Sequence, residues 1–474
     1  MDALAVRHER HLGMEAGHRK PSPRRSLHFL QALFILFVGL CAIISYTFVT
    51  SRVEKIRPRI TNRTNRATRG FVVPMFDAMI PIGISLIKEL RRYGNNDIVQ
   101  VYHCLDEISP RSMQLLYQSD EQIEVIDVCL DYVTRGNLTL EQAKDFRNFF
   151  IKPLALIHTR LDDVILLDAD DILFSDPAAL WTVPAYREYG TIFFYDREIN
   201  ENSYLNGKHR WTNEKGVDVE ENTLQEMMRV FESERFGLER NKPSDHVRNS
   251  LPYNSQGAHE QDSSVVVVDK RVHKKAMDVL WFLITEWRYR YSYSWGDKEN
   301  FWLAYEFSHS PYYFSPHGTS AAGYALPSLS DVGLLESDPT VLCSGRQGHD
   351  PQTVCGDIAH FFPLDGRDDI LHINGNRLIN PYIKTNSVNG YNRKFDAGKL
   401  TEMVANLPEY FAGLRRRGPT PIMQPNGSCP QECMYQRGVI RVTEAQRQSM
   451  AQRISDSFEV AAAIDAFGSQ GLEQ

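Results

Sequence analysis

Four consecutive apolar residues, Val164 to Leu167, run into a carboxylate pair, Asp168 and Asp170, and this junction constrains the fold more than any other stretch of the chain. A short continuous apolar run bounded by charge reads as a buried strand. The first polar groups beyond it then lie at the carboxyl edge of a sheet, where open α/β folds bind ligands. Asp168 and Asp170 flank one small residue, so in extended chain they point the same way and can share one cation. Two hard oxygen ligands, completed by a diphosphate and an imidazole, suit Mn²⁺ or Mg²⁺. A calcium loop of the EF-hand kind wants Gly at its sixth position and Glu at its twelfth, and Leu173 and Leu180 fall near those places.

The surrounding texture repeats the strand signal. Phe71–Phe76, Ile98–Val101, Ile123–Val128 and Ser264–Val268 are further apolar runs, while Ile80–Leu90, Leu140–His158 and the positions Met277, Leu280, Leu283, Ile284 and Trp287 carry helical spacing. Strands alternating with helices predict a parallel sheet covered on both faces. The charged stretch from Asn200 to Ser255 reads as an insertion or mobile loop with one helix near Leu224–Phe231. Ser328–Asp368, rich in Gly, Asp and Ser, reads as a loop that Cys343 and Cys355 could pin. Residues 441–474 read as a polar C-terminal tail or peripheral helix.

No Lys, Arg, Asp or Glu occurs between Arg25 and Arg52, and Leu27 to Val49 is long and apolar enough to cross a bilayer as one helix. The segment is longer than a signal-peptide core and ends in no small-residue cleavage site. The expected order is a cytosolic tail (1–26), a transmembrane anchor (27–49), a stem (50–69) and a globular domain (70–440). The basic residues flanking the anchor do not by themselves orient it. Sequons at Asn62, Asn137 and Asn426, and six cysteines beyond Cys41, favour a lumenal body in an oxidising compartment. The pairing of Cys104, Cys129, Cys343, Cys355, Cys429 and Cys433 is open. Through Arg69 the chain has 13 basic and 4 acidic residues; beyond it, 40 basic against 56 acidic. That acidic body excludes nucleic acid as a partner.

Lys152-Pro153-Leu154-Ala155-Leu156, Leu166-Leu167-Asp168-Ala169-Asp170, the Asp-Ser-Ser run ending in Val268-Asp269-Lys270, and Gly296-Asp297-Lys298-Glu299-Asn300-Phe301-Trp302 resemble a Golgi glycosyltransferase of the GT-A type, most closely the fungal α-1,3-mannosyltransferase family and distantly the glycogenin-like enzymes. The resemblance spans about Gly70 to Pro381. It implies an α/β, Rossmann-like nucleotide-sugar domain fused to an acceptor-binding region, behind one transmembrane helix. It also implies a type II Golgi membrane protein with a lumenal catalytic domain, retention of anomeric configuration, GDP-mannose as donor, Mn²⁺ or Mg²⁺ as cofactor and a glycan as acceptor. Asn200–Ser255 has no counterpart in it, and Glu260-Gln261-Asp262 matches the family's acidic run only loosely.

Glycosyl transfer needs cations facing a leaving diphosphate and a carboxylate near the anomeric carbon. Lys152 and Arg147, on the helical stretch entering the strand, are candidates for nucleotide contacts beside Asp168. Asp168 and Asp170 are candidate metal ligands, and His372 joins them because a late His completes the metal shell in glycogenin-like enzymes. Asp297 and Asp262 are the candidate catalytic carboxylates, with a helix N-cap the competing role for Asp297. Trp281, Trp287, Tyr289, Tyr291, Tyr293 and Trp295 are core residues or sugar platforms. A lectin-like, calcium-binding module without transferase activity, and a transferase using a UDP-sugar, are the alternatives.

Overall fold

The computed structural model describes residues 68–325, 354–385, 392–415, 417, 433–434 and 438–470. The expected cytosolic tail, anchor and most of the stem lie outside them, as do Asn62, Asn426, Cys41, Cys343 and Cys429. No helix among the described residues is long and apolar enough to cross a membrane.

The architecture is mixed α/β, with a Rossmann-like sheet at its centre. Strands β1 (Arg69–Pro74), β2 (Ile98–His103), β3 (Ile123–Asp127) and β4 (Asp163–Leu167) pair in parallel in the order β3-β2-β1-β4. The sheet continues beyond β4 through a strand at Gln261–Asp269, antiparallel to it, and one at Thr191–Tyr195. Side chains alternate strictly across it: Ile165 and Leu167 of β4 join one apolar core while Val164 and Leu166 join the other. Both faces are therefore covered, which is why these strands read as unbroken apolar runs.

Asp168, Ala169 and Asp170 are the step by which the chain leaves this sheet. The next three residues form β5 (Asp171–Leu173), which belongs to a second, antiparallel sheet and pairs with the strand Ile370–Asn374. Chain order reverses between β2 and β4 on either side of β1, the switch point at which α/β sheets open a crevice. The turn is held from above by Asp168 N–H donating to Ser264 O (2.9 Å) and Gly375 N–H donating to Asp170 O (3.2 Å).

Three regions differ from expectation. Asn200–Ser255 is ordered: a hairpin of Lys208–Thr212 and Asp218–Asn222 leads into the helix Thr223–Val230 through a capping box of Asn222 and Gln225. Polar residues are used there as caps and hairpin partners, which composition alone does not distinguish from a loop. Val354–Phe361, within the expected loop, is a strand of the second sheet, and its register sets Cys355 opposite Cys433. The C-terminal stretch expected as a polar tail or peripheral helix does form a helix, Glu444–Gln470, but it is not peripheral: it docks on the helix Ile80–Arg92, with Met450, Ile454 and Phe458 in the core.

That C-terminal helix also buries a cation. Arg453, 0% exposed, donates to Ile82 O (2.8 Å), Ala169 O (2.9 Å) and Asp171 O (3.3 Å) and pairs with Glu89 (3.2 Å). Two of those acceptors are backbone carbonyls of the Asp168–Asp171 turn. At the other edge a disulfide joins Cys104, just after β2, to Cys129, just after β3. Closing such a loop stabilises the fold by about 3 kcal/mol in the chain-entropy account.

Candidate active site

The turn opens onto a cavity of about 720 Å³. Lys152, Arg147, Asp168, Asp170, Asp262 and Asp297, six of the seven residues singled out by sequence, all line it. Lys152 is on the helix Ile151–His158, where Pro153 falls in the first turn and so removes no helical hydrogen bond. Its buried Nζ donates to Asp168 Oδ1 (2.8 Å), Ser263 Oγ (2.9 Å) and Ser263 O (3.1 Å) and lies 3.3 Å from Asp297 Oδ2. Burial acts to lower the Lys152 pKa, but Asp168 and Asp297 outweigh it and hold the ammonium above the ordinary lysine range.

Asp297 occupies the N-cap position of the helix Lys298–Phe307 yet makes no capping hydrogen bond with its side chain. The carboxylate faces Lys152 instead. Burial, opposed by Lys152 and reinforced by Asp168, pushes Asp297 up to about 6. Asp262 behaves oppositely: burial acts to raise it, but the hydrogen bond from His360 Nε2 (3.0 Å) and the charge of Lys298 hold it well below the carboxylate range. Lys298 itself pairs with the buried Asp196 at 2.7 Å. Burial and the adjacent Asp168 push Asp170 up to about 6. Burial, with Asp168 and Asp170, raises Asp171 well above its usual range. This carboxylate cluster is thus short of positive charge.

Residues 68–350, which carry Lys152, the Asp168–Asp170 turn, Asp262 and Asp297, match the model of the mannosyltransferase family Mannosyl_trans3. The chain belongs to that family. Among its relatives, Alpha-1,3-mannosyltransferase MNN1 of Saccharomyces cerevisiae is 23% identical over 309 residues, covering 60% of this chain and 39% of its own. Alpha-1,3-mannosyltransferase MNT3 of the same organism is 25% identical over 290 residues, with coverage of 61% and 45%. The chain therefore spans less than half the length of these relatives. The apo structure of the WbbM bifunctional glycosyltransferase aligns with 54% of this chain and 40% of its own at 14% identity and a TM-score of 0.33, a likeness too low to carry any argument.

Within this family member the seventh candidate, His372, is not brought to the cavity. It is fully buried, its Nε2 shares a hydrogen bond with Ser264 Oγ (2.9 Å) and lies 4.0 Å from Asp171, and burial lowers its pKa well below the usual value. Two residues along the same strand, Asn374 reaches the cavity, with Nδ2 3.4 Å from Asp168 Oδ2 and 3.2 Å from Asp171 Oδ1. The strand period of two puts both residues on one side, and the nearer to the sheet edge meets the ligand space. Sequence reasoning missed Asn374, His360 and Lys298. Lys298 had a signal in its place inside the motif that supplied Asp297, and Asn374 in its strand-period spacing from His372, whereas His360 had none. Among the described residues no three His, Cys, Asp or Glu side chains are grouped to hold a metal ion. The donor set fits a hard cation that takes two carboxylates from the protein and the rest of its oxygens from a bound phosphate or water.

Proposed function

We propose that this chain is a retaining α-mannosyltransferase that moves mannose from GDP-mannose to a hydroxyl of a protein- or lipid-linked glycan, probed in a lumenal, Golgi-type setting with residues 27–49 as anchor. The observation that carries the reading is the convergence of Asp168, Asp170, Lys152, Asp297 and Asp262 on one cavity at the sheet's switch point. The family membership and the names of the yeast relatives supply the sugar.

The chemistry distributes across the side chains. Asp168 and Asp170 would hold Mn²⁺ or Mg²⁺, and that ion when bound offsets charge on the leaving diphosphate. A divalent cation there would offset the negative charge that, with burial, raises Asp170 and Asp171. Lys152 fixes the geometry of Asp168 against Asp297 and cancels part of their mutual repulsion. The two candidate carboxyls have their pKa values pushed apart, the pattern that separates proton transfer from charge stabilisation. Asp262, held ionised by His360 and Lys298, suits stabilisation of positive charge at the anomeric carbon. Asp297, near 6, suits acceptance of the proton released by the acceptor hydroxyl.

The test is hydrolysis and transfer of GDP-mannose by residues 67–474 carrying Asp168→Ala or Asp170→Ala. The expected result is a loss of about 10³-fold in turnover and of Mn²⁺-dependent stabilisation by GDP, with the fold intact. Full activity in both variants would end this reading.

A further inference from the structure

Large aromatic side chains are left in water on one side of the cavity mouth. Phe149 and Trp295, both lining the cavity, are 59% and 58% exposed, and Tyr289 nearby in the same segment is 59% exposed. Isolated exposed apolar residues need no explanation, but these are held in place. Gly296 has a positive φ of 70°, and a Cβ there would come within 2.9 Å of the Phe149 side chain, so the turn that follows Trp295 packs closely on Phe149. Trp295 meets Tyr204 edge-on at 5.8 Å. Tyr289 donates to Asp145 at 3.0 Å, and the Arg288 guanidinium is clamped over Phe146, Phe150 and Tyr289 at 4.1 to 4.7 Å.

A second concavity has a volume of about 410 Å³. Phe150 and the run Arg288–Ser294 line it, so its walls follow directly in the chain from Phe149 and Trp295 of the catalytic cavity. The lining is aromatic rings, hydroxyls and two guanidinium groups. Both guanidinium groups are engaged within the protein: Arg290 pairs with Glu232 and Glu286, and Arg288 lies over the rings of Phe146, Phe150 and Tyr289 and donates to the Tyr289 hydroxyl. No carboxylate lines this concavity, so a cation is not its ligand. Rigid π-faces with neutral hydroxyl partners fit the C–H faces and hydroxyls of an uncharged sugar.

We propose that the segment Arg288–Trp295, with Phe149 and Phe150, is an acceptor platform: Trp295 and Phe149 meet the sugar that receives the transfer, and the Tyr289–Ser294 concavity binds the sugars behind it. This rests on the transferase reading above, and it makes the acceptor an oligosaccharide rather than a single sugar.

The test uses residues 67–474 with GDP-mannose and a length series of neutral α-linked acceptors, from methyl α-mannoside to a mannotetraose. KM should fall at least tenfold with length in the native sequence. Tyr289→Ala and Tyr291→Ala, neither of which lines the catalytic cavity, should abolish that gain with kcat toward methyl α-mannoside and donor hydrolysis unchanged, and Tyr289→Phe, which keeps the ring, should retain it. Length dependence that is absent in the native sequence, or that survives in both alanine variants, overturns the platform while hydrolysis of GDP-mannose still upholds the transferase. No hydrolysis of any nucleotide sugar by the native sequence overturns both.

Discussion

Lys152 concentrates the chemistry of this site into one side chain. An ammonium with almost no exposure is tolerable only because Asp168, Asp297 and Ser263 surround it, and removing one partner of a buried pair leaves the others uncompensated. Lys152→Met keeps much of the apolar stem but sets the buried Asp297 and the partly buried Asp168 against each other. The expected cost is about 3–5 kcal/mol of folding stability, read by denaturant unfolding, with transfer activity lost. Lys152→Arg should fold better but remain impaired, because a planar fork does not reproduce the compact charge that donates to three acceptors and pairs with Asp297. A Lys152→Met protein with native stability would show that the carboxylates are compensated by some other group.

At the scale of the element, the turn after β4 is fixed by contacts from three places remote in sequence: Ser264, Gly375 and Arg453. What could be read beforehand was whatever depends on local pattern. The strands β1 to β4 are buried on both faces, so their apolar runs stand out, and Asp168 and Asp170 follow from the strand that ends before them. Arg453 was illegible because a cation in a polar helical stretch looks solvated, and only tertiary packing sinks it against Glu89. His372 and Asn374 were equally placed by strand period, and only the position of the sheet edge chose between them. The Glu89–Arg453 pair makes a pH prediction. Burial, opposed by Arg453, raises Glu89 from 4.5 to about 7, so between those values the folded state holds a proton that the unfolded chain has released. Stability from this group is therefore present at low pH and lost as pH rises through about 7. Arg453→Ala removes the larger of the two opposing charges, Arg453 and Arg92, so its destabilisation should be larger at pH 8 than at pH 5, measured as the difference in unfolding free energy at each pH. Equal losses at both would mean that Glu89 is ionised in the fold throughout.

For the molecule as a whole, the C-terminal helix is what joins the parallel sheet to the second sheet beneath the Asp168–Asp171 turn. It packs on the helix Ile80–Arg92, its Ser457 hydroxyl donates to Ile379 O (3.0 Å), and Phe458 meets Phe395. The family match ends at residue 350, so nothing in that match requires this helix for the fold. The packing does. Deleting residues 443–474 exposes the core faces that Met450, Ile454, Phe458 and Val460 cover, worth about 1.5–3 kcal/mol per side chain, and strands Glu89 without its cation. Four such losses, about 6–12 kcal/mol together, match the entire stability of an ordinary domain at about 5–15 kcal/mol. Residues 67–442 should therefore express as an aggregating or dye-binding species with no cooperative unfolding and no nucleotide response, whereas 67–474 unfolds cooperatively. If the shorter chain melts cooperatively and binds GDP with Mn²⁺ as the longer one does, the helix is an accessory and the Asp168–Asp171 turn is held by Ser264 and Gly375 alone.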